Sequence, residues 1–193
     1  MSSLQRFTIG VVVLLLTLVL SCCQGRGKRI QDSDQAIPDR EELIRANQMM
    51  VREDENRINE KAAQAGWTLS RTQTGEFYQI RDFASDKENK KTGKRGIRAG
   101  DEVSLTYTLR LLTGEEIGNS QQNGPKQFII EGSGAESGMH SVMKRFSEGD
   151  SVLILLPPHR AYGLMGDGDK IPGRAILWYE IRIDSVTSTG NNG

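Results

Sequence analysis

Few residues in this chain of 193 could serve as an acid, a base, a nucleophile or a metal ligand. His140 and His159 are the only histidines, and neither lies at metal-ligand spacing from another soft donor. Each reads as a surface residue or a loop cap, so no metal and no cofactor are expected. Cys22 and Cys23 are the only cysteines, and they form neither an internal disulfide framework nor a CxxC site. What stands out is Pro157-Pro158-His159-Arg160-Ala161-Tyr162-Gly163, followed after a Gly/Asp loop by Ile171-Pro172. One apolar strand, Val152 to Leu156, leads into this segment, and another, Ile176 to Ile183, leads out of it. It offers aromatic and apolar surface and one phenolic hydroxyl. A buried tyrosine needs a partner for that hydroxyl, which makes Tyr162 the residue to watch.

The elements that carry this segment follow a targeting region. Arg6 supplies a short charged start, and Ile9 to Leu20 is an apolar run of signal-peptide length, short for a membrane span. It ends in Val19-Leu20-Ser21-Cys22, a small residue before a cysteine, which resembles a bacterial lipoprotein signal. That resemblance implies removal of residues 1–21 and lipidation of Cys22; the alternative is an uncleaved helical anchor. Residues 22–37 are polar and without hydrophobic period, and read as a flexible tether with a reach of about 20 Å. Lys and Arg total 25 and Asp and Glu total 25, a zero net charge that argues against nucleic-acid binding by bulk electrostatics.

Residues 38–66 read as a charged helix. Pro38 suits its first turn, Asp39, Glu41 and Glu42 suit the positive end of its dipole, and Gly66 suits its C-terminal cap. Leu43, Ile44, Met50, Val51, Ile58, Ala62 and Ala65 form a stripe broken by Asn47 and Asp54. Two readings stand: a solvated spacer with pairs such as Glu53–Arg57, which the interruptions favour, or a helix packed on its own domain or on a second copy, giving a homodimer through Pro38 to Ala65. Trp67 to Arg71 and Glu76 to Arg81 alternate around Thr74-Gly75, a hairpin signal. Ala84 to Arg98 is a basic stretch, read as a solvated loop rather than a surface for acidic lipid. Val103, Leu105, Tyr107 and Leu109 alternate as a half-buried strand, and Thr113-Gly114 marks a turn. Gln127 to Glu131 is a short strand, Gly138 to Phe146 an amphipathic helix, and Ser151 to Leu156 a strand. Residues 186–193 read as a disordered polar tail. The class is α+β: an antiparallel sheet wrapped around a short helix over residues 67–185, preceded by a long N-terminal helix.

From about Gly75 to Ile183 the chain resembles the FKBP-type peptidyl-prolyl isomerases. The likeness rests on Gly100-Asp101, Tyr107, Gly114, Phe128, Gly138, Gly149-Asp150, Ala161-Tyr162-Gly163, Ile171-Pro172 and Tyr179. It implies rotation about X–Pro bonds of proline-containing segments. The barrier to that rotation, about 20 kcal/mol, is the loss of amide resonance. The planar amide is the more polar form, so a dry aromatic pocket disfavours it relative to the twisted one. Proline suits such a pocket because it has no N–H to leave unpaired. The resemblance implies that Tyr162 donates a hydrogen bond to the substrate carbonyl, while Tyr107, Ile117, Phe128, Met139, Ile171 and Tyr179 form walls and floor. The chain departs from the family at Ile117-Gly118, where an acid follows an aromatic, at Ala135-Glu136, where an apolar pair stands, and at Met139, where a Trp forms the floor. Glu136 is expected at the mouth of the pocket as an exposed carboxylate favouring a basic residue before proline. A binding module that kept the fold and lost the rate is the alternative. Signal, helix and domain in this order resemble the gliding-motility-associated isomerase lipoproteins of Bacteroidetes. That implies a membrane-anchored protein of the cell envelope, facing the periplasm.

Overall fold

The computed structural model describes residues 39–81 and 95–189. The signal region, Cys22, the tether, Pro38 and most of the basic stretch lie outside the described residues, as does the very end of the chain. Residues 1–42 and 43–193 form separate compact units. Of the first, only the turn 39–42 is described. There the Asp39 carboxylate accepts from the Glu42 amide at 2.7 Å and Glu42 reaches back to the Asp39 amide at 3.2 Å, a reciprocal cap.

Helix α1 runs over Arg40–Ala65. Gly66, at φ 67, ends it: the Trp67 amide donates to the Ala62 carbonyl at 2.8 Å and Gly66 to Ala63 at 3.4 Å. This is the paired closure that a left-handed residue permits. The strands are β1 (Ser70–Arg71), β2 (Phe77–Ile80), β3 (Asp101–Leu111), β4 (Glu116–Asn119), β5 (Lys126–Ile129), β6 (Ser151–Leu156) and β7 (Leu177–Ser188). Two short helices lie among them, α2 (Ser120–Asn123) and α3 (Ser137–Met143). The strands form one antiparallel sheet in the order β1-β2-β6-β7-β3-β4, with β5 also paired to β3.

One face of the sheet wraps α3. Val103, Leu105, Val152, Ile154, Tyr179, Ile181 and Ile183 meet Met139, Val142, Met143 and the nearby Phe146 in a single core. The other face is covered by α1. Ile58, fully buried, packs with Phe77, Leu153, Leu155 and Ile176, flanked by Trp67, Leu69, Leu112 and Trp178. Strand β6 is thus buried on both sides, which is why it reads as an unbroken apolar run rather than an alternation.

Two expectations are corrected here. The C-terminal half of α1 is not a solvated spacer. Asp54, read as a break in its stripe, is buried because Arg174 and Arg57 neutralise it, and Glu53 pairs with Arg174 rather than Arg57. Residues 186–188 are not tail: Val186, Thr187 and Ser188 pair with Val103, Glu102 and Asp101. Backbone hydrogen bonds make that pairing, so the polar side chains carry no sign of it.

Candidate functional site

The chain crosses from β6 into the site through a single 3-10 turn, Pro158–Arg160, and reaches Tyr162. Gly163, at φ 64, and the loop to Arg174 then carry Ile171 back onto the core. The Asp167 carboxylate accepts from the Ile171 amide at 2.7 Å and from the Asp169 amide at 2.9 Å, holding that arm.

Phe128, Met139, Ile171 and Tyr179 are buried members of the inner core, with Tyr107 and Ile117 half-buried against them. The rings of Tyr107 and Tyr179 stand 6.3 Å apart, tilted. Tyr162, read from the sequence as a buried tyrosine, is instead 39% exposed and is not part of this buried cluster, because the Gly163 turn carries the chain outward there. The residues singled out in the sequence for walls and floor therefore share one core, and Met139 is a fully buried thioether within it.

Glu136 differs from expectation. It is not an exposed carboxylate; its side chain is 3% exposed and already paired. It accepts from the Tyr179 hydroxyl at 2.6 Å, and Lys126 Nζ stands 3.2 and 3.4 Å from its two oxygens. Burial pushes the Glu136 carboxyl up, and the Lys126 charge with the Tyr179 hydrogen bond more than offsets this, leaving it below its ordinary value. Burial, then the Glu136 charge and a hydrogen bond to Glu136, push the Tyr162 phenol up to about 12. Tyr179 is also raised, first by burial and then by Glu136. Both phenols therefore stay protonated, and that of Tyr179 donates to Glu136.

Gly118 shows where a carboxylate on β4 would have projected. A side chain there would meet the Asn123 amide at 3.2 Å and lie 3.9 Å from the Tyr107 hydroxyl. Asn123 occupies that space and donates to the Tyr107 hydroxyl at 3.4 Å. The carboxylate of this cluster comes instead from the residue preceding α3. Its partner is the hydroxyl that Tyr179 carries into the core, and a buried hydroxyl needs such an acceptor.

Sequence reasoning missed Lys126, Asn123 and Arg160. Lys126 begins a short strand and gives no local sign of reaching ten residues forward; its ammonium also lies 5.6 Å over the Tyr179 ring. His140 accepts from the Glu131 amide at 3.2 Å, a loop cap as read from the sequence. Among the described residues no group of His, Cys, Asp and Glu could hold a metal ion.

The family model described as FKBP-type peptidyl-prolyl cis-trans isomerase matches residues 93–184. The chain is 30% identical over 90 residues to FK506-binding protein 2 of Dictyostelium discoideum, a match covering 46% of this chain and 68% of that protein. It is 33% identical over 91 residues to FK506-binding protein 2B of Rhizopus delemar, covering 46% of this chain and 44% of that one. The crystal structure of FkpA from Escherichia coli superposes with a TM-score of 0.57 at 19% identity, covering 81% of this chain and 77% of that one. At that identity the likeness speaks to fold alone.

Proposed function

The chain belongs to the FKBP-type peptidyl-prolyl cis-trans isomerase family, and on that premise we propose that Tyr162 and the core around it turn over X–Pro bonds in extracytoplasmic proteins. The observation that carries this is the apolar cluster that holds Ile171 and Tyr179 together with Tyr107, Ile117 and Phe128, with the protonated phenol of the exposed Tyr162 near Glu136. On this reading a proline ring packs on the half-buried Tyr107 and Ile117, over the buried Phe128, Met139, Ile171 and Tyr179, where its lack of an N–H leaves nothing unpaired. Tyr162 donates to the carbonyl of the residue before or at the proline. The Glu136 carboxylate is already satisfied by Tyr179 and Lys126. Removing water from the polar planar amide favours the twisted form.

The envelope setting belongs to the same reading. Ser21-Cys22 after the apolar run supports a lipid tether at Cys22, and the order of signal, helix and domain supports an envelope protein of the gliding-motility-associated kind, facing the periplasm. Proline-containing segments of envelope proteins are then its clients. Leu43, Ile44 and Met49, all exposed on α1, support self-association through that helix. A binding module without turnover is the second reading, favoured by the burial of Phe128, Met139 and Tyr179, which leaves little of the aromatic lining open to a substrate.

Isomerisation of short X–Pro peptides by the parent and by Tyr162→Ala tests the activity. A rate in the parent no better than in Tyr162→Ala leaves the binding module. Cys22→Ala should release a folded, active protein from the membrane fraction, since stable retention needs the multiply acylated cysteine. Retention with an unchanged lipid mass would remove the lipoprotein reading.

A further inference from the structure

Two buried carboxylates outside the aromatic cluster each hold an arginine, and the two arginines stand at the two feet of one loop. Glu76, after the hairpin turn, is fully buried. One of its oxygens accepts from Arg160 Nε at 2.5 Å; the other accepts from the Thr74 hydroxyl at 2.6 Å and from the Thr72 hydroxyl. Arg160 lies two residues before Tyr162. Asp54, on α1, is 3% exposed and accepts from Arg174 Nη2 at 3.0 Å, while Glu53 takes the same nitrogen at 3.2 Å. The Arg174 amide in turn donates to the Gly163 carbonyl at 2.9 Å, closing the loop one residue after Tyr162.

The loop between these feet has little slack. A side chain at Gly166 would lie 2.0 Å from the Ile171 carbonyl oxygen, and one at Gly173 would lie 2.2 Å from that of Leu164. The two arms therefore run in backbone contact, and a shift at one foot passes to Tyr162 and Ile171. Arg174 also sits at φ 58, a left-handed conformation that a non-glycine residue keeps only when its surroundings hold it there. There its amide is tied to Gly163 and its guanidinium to Asp54 and Glu53. A buried ion pair is in general no more stabilising than a well-packed apolar pair, and in some proteins such a pair serves to fix geometry.

We propose that Asp54 and Glu76 are positioning residues for Tyr162 and Ile171, so that α1 and the β1–β2 hairpin, which precede the family-matched residues 93–184, are working parts of the isomerase. This rests on the isomerase reading. Neither carboxylate touches the substrate site; each acts through its arginine.

The test uses the full-length chain with Asp54→Asn, Arg174→Gly, their double variant, and Glu76→Gln. Glycine at 174 accepts the positive φ, so that change removes the guanidinium without adding strain. Three quantities are read: kcat/KM on a short Leu-Pro peptide, thermal unfolding, and amide hydrogen exchange. Asp54→Asn and Arg174→Gly should each lower kcat/KM about three- to tenfold, since small misplacements of a substrate-contacting group are costly. The double variant should be no worse than the poorer single one. Exchange should quicken in 161–174 and stay slow in β6 and β7. If Glu76→Gln does not fold, the Asp54–Arg174 pair alone decides. Unchanged kcat/KM and unchanged loop exchange beside a lowered melting temperature would overturn the proposal, as would losses that multiply in the double variant. If Tyr162→Ala turns over as fast as the parent, the isomerase reading fails, and loop exchange still decides whether the two pairs position the loop.

Discussion

Glu136 and Tyr179 can be tested as a pair, because each is the other's answer to burial. In Glu136→Ile the Tyr179 hydroxyl, in a residue 1% exposed, loses its acceptor, which costs about 1–3 kcal/mol. Lys126 loses its partner as well, but its side chain is 20% exposed and can turn to water. The total should therefore be about 2–3 kcal/mol, short of the ~3–5 kcal/mol for breaking a fully enclosed ion pair. Tyr179→Phe alone leaves Glu136 its Lys126 and loses one charge-assisted bond, about 1.5–2 kcal/mol. In the double variant no hydroxyl is orphaned and the added methyls pack against the core. Its loss should fall below the sum of the two singles by about 1–2 kcal/mol. Urea unfolding with a constant slope gives each value. Additivity to within about 0.5 kcal/mol would refute the reasoning, since it would mean that the Tyr179–Glu136 bond contributes nothing to the folded state.

Acid should weaken the fold through Glu76 and Glu136. Both are held below their ordinary 4.5, against the upward push of burial: Glu76 by Thr72, Thr74 and Arg160, Glu136 by Lys126 and Tyr179. A depressed folded value means stability present above about pH 4.5 and lost as pH falls through the folded value. Melting temperature measured downward from neutral pH should drop in that window, and Glu136→Gln should flatten the drop; an equal drop in the variant counts against it. Tyr162, raised to about 12, should keep kcat/KM flat from about pH 7 to about pH 10, the range where an ordinary phenol begins to ionise. Ile58→Ala should cost about 2–5 kcal/mol in denaturant unfolding, because Ile58 is fully enclosed by Phe77, Leu153, Leu155 and Ile176. A change near zero would mean that α1 does not pack on the sheet in solution.

Much of this protein is local and was legible before folding. The alternation Val103-Leu105-Tyr107-Leu109 dictates a half-buried strand, Gly66 dictates the end of α1, and Ala161-Tyr162-Gly163 with Ile171-Pro172 carries the family and the aromatic cluster. These signals are readable because caps, turns and periodicities are set by residues within a few positions of one another. The cover on the second face was partly legible: the run Val152 to Leu156 asks for apolar partners on both sides, though it does not name α1 as one of them. Asp54 and Glu136 were read wrongly for a single reason. A carboxylate looks like solvent-facing punctuation until a counter-charge or hydroxyl is brought to it. Those partners are Arg174, 120 positions away from Asp54, and Tyr179, 43 positions from Glu136. The ends of β7 were hidden in the same way, since ladder hydrogen bonds come from the backbone whatever the side chains are. Sequence alone therefore determined the family and most of the elements, though not β4 or α2, whose short polar runs carry no period. Which charges are buried, and what they hold in place, was decided only by the tertiary structure, because burying a charge depends on a partner that folding has to deliver.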